Sequence, residues 1–465
     1  LVWLRLAIQQ MGASASTVAA VIATALLGLS AGAMSCGRWA DRSQRPILIL
    51  GCAFVACSTV IFATATGDGF FAGLAGQVYS PSPTGRWIGE PSAICKMVFA
   101  VCAMFPVNLL LGTTLPFLVR DGTGSHATPP SFSGTLGRLY ASETLGAAVG
   151  AIAVGFWLIP GIGLQATLYL GATAIGVVGL LAISVGCRSS RLPLPRPASE
   201  SHSTSTDRKF HIGLFLLIVA LSGSATLGME VVWQRFFVVL FGSDTHSYAI
   251  VAASYLLGIS LGAVASATVM RISRNYVLAY ASTMIAIGAA AIAVTMVALY
   301  LASGNLSFFN SQLLVLRPVT ARIVIAVSLL LGPTTLIGIA FPVAARIWTT
   351  DLGRAASSTA HVYSAALVGN VVGVLTVGFY LIPTAGLRSG MLFLAGVCVF
   401  SGVALILLSL LRRSTSPRLS IRSVFFFLGI GLLLTVWAVG SARLARQFWP
   451  VGVASQSNEW RLQSY

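Results

Sequence analysis

The sequence has very few charged residues. Only 8% of its 465 residues are Asp, Glu, Lys or Arg, whereas an ordinary soluble domain carries about 25%. Acidic residues are the scarcest of these, at 11 against 28 basic ones. Strand-type alternation of apolar and polar residues is also absent. These absences exclude an ordinary soluble domain and favour helices that satisfy their own backbone polar groups in lipid.

The clusters that hold metals, haem or disulfides are missing as well. The seven cysteines are scattered without a Cys-x-x-Cys pair, and the five histidines never cluster at ligand spacing. These residues are Cys36, Cys52, Cys57, Cys95, Cys102, Cys187 and Cys398, and His126, His202, His211, His246 and His361. We therefore predict no cofactor and no metal site, and we interpret the cysteines as small packing residues.

Long apolar stretches make up most of the chain. Hydrophobic residues amount to 56%, and uncharged stretches recur at close to the roughly 20 residues that a helix needs to cross a bilayer. The predicted spans are 15–37, 46–67, 93–119, 138–160, 164–187, 211–229, 244–268, 277–301, 320–345, 359–383, 387–411 and 421–442. We therefore predict an all-α, polytopic helical membrane protein with about 12 transmembrane helices.

The chain carries nearly the same signature twice. The segment from Val2 to Arg5 returns as Val232 to Arg235, and each pair of positions is 230 apart. Further pairs are Gly28 and Gly258, Gly32 and Gly262, Gly112 and Gly338, Tyr140 and Tyr363, Gly146 and Gly369, and Gly150 and Gly373. A period of this length is too long for a solenoid repeat and is typical of two tandem homologous bundles, as in many transporters.

The duplication divides the chain into segments. These are a first membrane repeat at 1–187, a Ser/Pro/Arg-rich linker at 188–210, a second membrane repeat at 211–411, an extra span at 421–442 and a polar tail at 443–465. The composition of the linker cannot form a hydrophobic core, so we expect it to be a cytoplasmic connection.

The two repeats differ at their beginnings. An apolar helix precedes Trp233 in the second repeat, whereas the first repeat begins just before Trp3. We expect that the first helix of the first repeat is missing, because the sequence is a truncated, processed or incompletely defined version of a longer product. A natural five-plus-six arrangement of helices is the alternative.

Basic residues concentrate at one end of the predicted bundle. Alternate loops hold 18 of the 28 basic residues, and the opposite face holds 8. The richer loops are 38–46, 120–138, 187–210, 271–274, 346–354 and 412–422. This is the positive-inside pattern, so we predict that these loops are cytoplasmic in a bacterial-type inner membrane. Anionic lipid head groups are the expected counter-ions, and no nucleic-acid partner is needed to explain the charge.

The repeated signatures resemble a known family. A Glu-x-x-Trp-x-Arg stretch at 230–235 leads into a Leu-Leu-Gly-x-x-x-Gly span; Gly-x-x-x-Pro closes a later span, and Tyr-x(5)-Gly-x(3)-Gly-x(4)-Gly-Phe ends in Leu-Ile-Pro. Together these resemble the membrane region of fused major-facilitator/spermidine-synthase proteins. The loop that contains Gly37, Asp41 and Arg42 also resembles the cytoplasmic Gly-x-x-x-Asp-Arg loop of major-facilitator transporters. The resemblance implies a major-facilitator-like bundle.

The sequence departs from that family in its chemistry. It contains no glycine- and aspartate-rich loop of a Rossmann-like domain, which the family needs for its decarboxylated adenosylmethionine donor. The family's Tyr-x-x-Asn is replaced by Tyr140-x-x-Glu143 and Tyr363-x-x-Ala366, and the 271–274 loop has no acidic residue. We therefore expect no catalysis by this chain alone.

Small residues and prolines are the candidates for shaping the bundle. Four Gly-x-x-x-Gly pairs predict close helix packing in lipid, namely Gly28 with Gly32, Gly146 with Gly150, Gly258 with Gly262 and Gly369 with Gly373. Proline removes a backbone donor and kinks a helix. The prolines Pro106, Pro116, Pro333 and Pro342 therefore predict helix breaks in matching spans of the two repeats. Such breaks either shape the bundle only or indicate a central binding site.

Three polar residues are candidates for an intramembrane site. Glu143 lies about five residues into a span, where an ionisable group is costly unless it faces protein or water. It could coordinate a cation or carry a proton, or it could be a carboxylate hydrogen-bonded to Arg138 or Asn108. Asn108 and Asn370 are uncharged polar residues within spans, for which interhelical hydrogen bonding is the ordinary use.

Three function classes follow from these features. The preferred one is a multi-pass scaffold or accessory subunit, with partners at the outer loops 68–92 and 302–318 and the tail 443–465. The second is a transporter of a small solute, which could be cationic and polyamine-like. The third is the membrane half of an aminopropyltransferase whose enzyme domain is absent from this sequence.

Overall fold

A computed structural model describes most of the two repeats. The described residues are 2–11, 15–66, 101, 104–124, 129–189, 191–193, 205–241, 245–273, 275–302 and 319–411. The predicted span at 421–442, the tail at 443–465, loop 68–92 and almost all of loop 302–318 lie outside them. Every regular element in the described part of the chain is a helix.

The described part of the chain contains the following α-helices, given in chain order. They are α1 (Val2–Met11), α2 (Ala15–Arg42), α3 (Pro46–Thr66), α4 (104–111), α5 (Thr114–Thr123), α6 (Pro129–Ala153), α7 (Ile159–Arg188), α8 (Ser205–Phe241), α9 (Thr245–Ile272), α10 (Tyr276–Ala302), α11 (Val319–Trp348), α12 (Ala355–Leu375) and α13 (Ile382–Leu411). A short 3₁₀ helix, Leu352–Arg354, precedes α12, and π-helical segments follow α6 (Val154–Leu158) and α12 (Thr376–Leu381).

The described helices have the length and composition of membrane spans. Eight helical segments are long and apolar enough to cross a membrane, and two of them, Phe132–Arg188 and Leu352–Ser409, have 57 and 58 residues. At 1.5 Å per residue, each of these two is long enough for two crossings. The prediction of a polytopic helical membrane protein is confirmed.

Two glycines turn the chain between consecutive spans. Gly163 and Gly386 have φ values of 82° and 76°, inside otherwise helical segments. Only glycine adopts this left-handed region without strain. Each glycine follows a π-helical segment and a proline, Pro160 or Pro383, which has no N–H to donate to the residue four positions earlier. The same turn therefore precedes the last span of each repeat.

Helix α8 is longer than the apolar stretch from which it was predicted. It begins at Ser205, inside the predicted linker 188–210, and continues without interruption to Phe241. Trp233 is only 3% exposed, and its ring centroid lies 6.3 Å from that of Tyr255. Helix α8 therefore carries Trp233 into the bundle rather than to its surface.

The two repeats meet along two pairs of helices. Helix α2 packs against α12, and α6 packs against α9. Ser30 Oγ donates to Ser364 O at 3.2 Å, and Ser364 Oγ donates to Ser30 O at 3.0 Å, so α2 and α12 are joined by reciprocal hydrogen bonds. Ser260 Oγ donates to Ala141 O at 2.9 Å between α9 and α6.

Glycines bring helices together at equivalent places within the repeats. A Cβ atom added at Gly32 would lie 2.0 Å from Leu109 O, and one at Gly262 would lie 1.9 Å from Thr335 O. Gly28 and Gly258 lie one turn earlier on the same helices, and a Cβ atom added at either position would also overlap the facing helix. These four glycines therefore permit the close α2–α4 and α9–α11 crossings.

The other two glycine pairs differ between the repeats. Cβ atoms added at Gly369 and Gly373 on α12 would lie 1.8 and 2.0 Å from backbone oxygens of α8. At the equivalent Gly146 and Gly150 on α6, no described atom comes within 4 Å. The predicted packing role of Gly146 and Gly150 is therefore not seen, because no described helix takes the place beside α6 that α8 takes beside α12.

The prolines differ between the repeats in whether the helix is interrupted beside them. In the first repeat, a turn at Gly112 and Thr113 separates α4 from α5, and Pro116 lacks the N–H that would bond to Gly112. In the second repeat, α11 runs without interruption through Pro333 and Pro342. Pro333 and Pro342 therefore lie inside one continuous helix, and Pro106 lies within α4.

We predict opposite effects for equivalent glycines of α12 and α6. Gly373→Ala should lower the thermal unfolding midpoint of the detergent-solubilised protein, because the new methyl group would meet backbone and cost about 1–3 kcal/mol. Gly150→Ala should leave the midpoint unchanged or raise it, since no described atom lies near. Differential scanning fluorimetry of both variants would check this, and equal destabilisation would contradict the open position of Gly150.

Candidate functional site

A cavity of about 120 Å³ lies where the second repeat meets the first. Helices α8 to α12 form most of its wall, and Tyr140 of α6 contributes from the first repeat. The lining residues are Tyr140, Val219, Ser222, Gly223, Thr226, Leu227, Tyr255, Ile259, Tyr280, Met284, Ile337, Ala340, Phe341, Ala344, Tyr363, Ala366, Leu367 and Asn370. A pocket between helices of a bundle, mostly apolar with a few polar groups, is typical of a small-molecule site.

Four tyrosines give the cavity much of its polar surface. Tyr280 Oη lies 2.6 Å from Ser222 Oγ, and Tyr255 Oη donates to Thr226 O at 3.2 Å. The hydroxyl groups of Tyr140 and Tyr363 make no hydrogen bond to any described residue, although Tyr363 is only 8% exposed. The hydroxyl groups of these two tyrosines are therefore available to bind a ligand in the cavity.

Aromatic contacts join the repeats at that side. The ring centroid of Phe341 on α11 lies 4.7 Å from that of Tyr140 on α6 and 5.5 Å from that of Tyr363 on α12. These separations are within the usual range for interacting aromatic rings. The three rings therefore connect the two halves directly at the cavity.

Two carboxylates lie one helical turn from the cavity lining. Glu143 comes three residues after Tyr140 on α6, and Glu230 comes four residues after Thr226 on α8. Glu143 is exposed on the side of α6 that no described helix covers, and Glu230 is half-buried on α8.

The sequence suggested partners for these carboxylates that the structure does not provide. Arg138 donates to Gly134 O at 3.3 Å rather than to Glu143, and Arg235 interacts with Tyr248. No described cation lies within electrostatic range of Glu143 or Glu230.

The predicted polar residues separate into two places. With its amide oriented to donate, Asn370 Nδ2 lies 2.8 Å from Gly223 O on α8 and 3.0 Å from Ala366 O, at the cavity wall. Asn108 Nδ2 donates to Met104 O of its own helix at 2.8 Å and does not line the cavity. The structure thus brings Asn370 and Glu143 near one site and leaves Asn108 outside it.

Sequence reasoning did not select Glu230 or the tyrosines as site residues. In the sequence, Glu230 belongs to the Glu-x-x-Trp-x-Arg stretch, and Tyr140 and Tyr363 are repeat markers. The equivalence of Tyr140 and Tyr363 in the duplication was the available signal, since the rings of both contact Phe341.

Asp41 joins the two halves at the end where the basic loops lie. Its carboxylate accepts hydrogen bonds from Ala356 N at 3.0 Å and Ser357 N at 3.1 Å, and the residue is only 7% exposed. These N–H groups belong to the first turn of α12, which has no intrahelical acceptor for them. A carboxylate there is also favoured by the helix dipole. The neighbouring Arg42 is exposed.

Arg120 supports this end of the first half. It is 5% exposed, its Nε donates to Ser43 O at 3.4 Å, and its Nη2 donates to Pro193 O at 2.7 Å. Burial lowers the pKa of the Arg120 guanidinium from its ordinary value, whereas the Asp41 and Asp121 carboxylates oppose that shift. The arginine therefore fastens the loop that follows Asp41 and the end of α2.

The fold is similar to that of solved transporters. The structure of the human organic anion transporter MFSD10 (TETRAN) matches with a TM-score of 0.52 and 12% identity, over 84% of this chain and 82% of that one. The chain has a major-facilitator-like membrane fold. A variant of the nucleoside transporter NupG matches with a TM-score of 0.49 at 13% identity, over 87% of this chain and 94% of that one.

A third solved structure is a variant of the E. coli fucose:proton symporter FucP. It matches with a TM-score of 0.46 and 13% identity, over 86% of this chain and 98% of that one. No family model and no curated protein matches the sequence.

We predict that Asp41→Asn separates the two halves at the basic end. The neutral amide is a weaker acceptor for two backbone N–H groups and interacts less favourably with the dipole of α12. Double electron–electron resonance between labels at Cys187 and Ile272→Cys, both exposed, should show a larger separated population. The other cysteines are replaced by serine for this measurement.

The matched control is Asp351→Asn. Asp351 Oδ1 accepts from Gly353 N at 2.8 Å within its own short helix and does not join the halves. Its replacement should leave the distance distribution unchanged. The same distribution for Asp41→Asn and the unaltered protein would contradict a joining role for Asp41.

Proposed function

We propose that this protein transports a small solute through the cavity at the boundary of its two halves. The observation that carries the proposal is the position of the cavity. It is enclosed by helices of the second half and reaches Tyr140 of the first, so a relative movement of the halves would change access to it. Binding at the interface of two homologous repeats, with rocking of one against the other, is the general mechanism of such bundles.

Contacts between the halves lie toward both ends of the cavity. At the basic end Asp41 binds the first turn of α12. At the other end Arg5 Nη2 donates to Thr245 Oγ1 on α9, and its guanidinium lies 5.9 Å from the Tyr248 ring centroid. In the proposed cycle these two sets of contacts break in turn. Breaking them in turn also requires the packed helix pairs α2–α12 and α6–α9 to separate at one end at a time.

The alternatives have less support. A scaffold or accessory role depends on loops 68–92 and 302–318 and the tail 443–465, and no contact of the described residues favours it. The aminopropyltransferase interpretation and its spermidine-synthase fusion likewise have no observation in their favour. The proposed location remains the bacterial-type inner membrane with anionic lipids at the basic loops, on the strength of the charge asymmetry.

Access to the cavity from both faces of the membrane is the decisive test. In a variant without native cysteines, Thr226→Cys places a thiol in the cavity wall. We expect a membrane-impermeant thiosulfonate to react with this thiol in both right-side-out and inverted vesicles. Reaction from one face only would contradict alternating access and favour a static role.

A cross-link at the basic end makes this test specific. A Cβ atom at residue 37 would lie 3.6 Å from Ser357 Cβ, a separation that suits a disulfide. Gly37→Cys with Ser357→Cys, and Ala360→Gly to make room, should abolish labelling of Thr226→Cys from the basic face and keep it from the other. Reduction of the disulfide is the control and should restore labelling. Unchanged labelling in the oxidised state would contradict the proposed movement.

A further inference from the structure

The cavity has an unbalanced charge environment. Its lining residues are all uncharged, while Glu143 and Glu230 lie one helical turn from the lining residues Tyr140 and Thr226. Neither carboxylate has a basic partner in the described part of the chain. Within that part of the chain, the two carboxylates therefore bring negative charge close to the cavity wall without a compensating positive group.

Such an arrangement favours a cation from outside the protein. Carboxylates without partners at membrane depth are costly, and ionisable groups there usually face a protein or water-filled interior and mark a path for ions or substrates. A cation placed between Glu143 and Glu230 would replace the missing counter-charge. An anion in the same place would be repelled by both groups.

The walls indicate an organic cation rather than a bare ion. Tyr140, Phe341 and Tyr363 offer aromatic faces, which attract cations that carry hydrocarbon groups. Tyr363 is 8% exposed and its hydroxyl has no described partner, so a buried polar group remains for a ligand to bind. The lining also includes Met284, which is 1% exposed and suits an apolar body.

We propose that the transported solute is a small organic cation with an apolar or aromatic body. Its charged group binds at the side of the cavity lined by Tyr140, toward Glu143 and Glu230, and its body contacts the aromatic and apolar lining that includes Phe341 and Met284. This assignment rests on the proposed transport function, because it names the chemical class that the same cavity binds.

The test compares two probes of similar shape and opposite charge. Phenyltrimethylammonium and benzenesulfonate are titrated into the full chain in detergent, with isothermal titration calorimetry and the thermal unfolding midpoint as readouts. The same two probes are then used in radiolabelled form for uptake into proteoliposomes. We expect the cation to bind, to raise the midpoint and to be taken up, whereas benzenesulfonate does none of these.

Variants locate the binding to the two carboxylates. Glu230→Gln and Glu143→Gln should each weaken binding of phenyltrimethylammonium at least tenfold and leave the midpoint of the ligand-free protein close to that of the unaltered chain. Asp121→Asn is the matched control, since Asp121 is an exposed acid on α5, away from the cavity. It should bind the probe as tightly as the unaltered protein.

The outcomes separate this inference from the transport proposal. Binding of the cation without uptake would retain the substrate class and overturn transport. Uptake of benzenesulfonate but not of the cation would retain transport and overturn the substrate class. Failure of phenyltrimethylammonium to bind, or binding unaffected by both glutamate variants in folded protein, would also overturn the inference.

Discussion

Close contact between helix backbones is the constraint on which the rest of this structure depends. Lipid provides little hydrophobic driving force between helices, so association relies on packing and on polar contacts. At Gly32 and Gly262 a side chain as small as a methyl group would overlap a backbone carbonyl of the facing helix. These crossings hold α2 against α4 and α9 against α11, and thereby fix the helices that form the boundary between the halves.

The boundary itself combines close helix packing with a small number of polar contacts. Ser30 and Ser364 exchange hydrogen bonds between α2 and α12, and Asp41 binds the beginning of α12. A Cβ atom added at Gly37 of α2 would lie 2.8 Å from a side chain of α12, so the two halves also pack closely. The symmetry of the repeats is incomplete here, because the 271–274 loop has no acid to match Asp41. The proposed movement therefore has to separate packed helices as well as polar contacts.

The cavity combines features that neither half provides alone. The second half supplies an uncharged, tyrosine-rich wall and Glu230, while the first supplies Tyr140 and Glu143. Glu230 is half-buried, and a half-buried carboxylate without a partner in the described part of the chain is costly to keep, so a role in binding explains its presence better than packing does. The open face of α6 beside Gly146 and Gly150 lies on the same side as Glu143.

The sequence by itself determined the helical membrane class, most span positions and the duplication, because hydropathy and repeated motifs are local properties of the chain. It also singled out Asp41, Glu143 and Asn370, although not what they contact. Only the tertiary structure decided that Asn108 lies apart from the cavity and that Glu230 lies beside it. The physical reason is that the site residues come from helices over 200 positions apart, whose relative rotation depends on packing between helices.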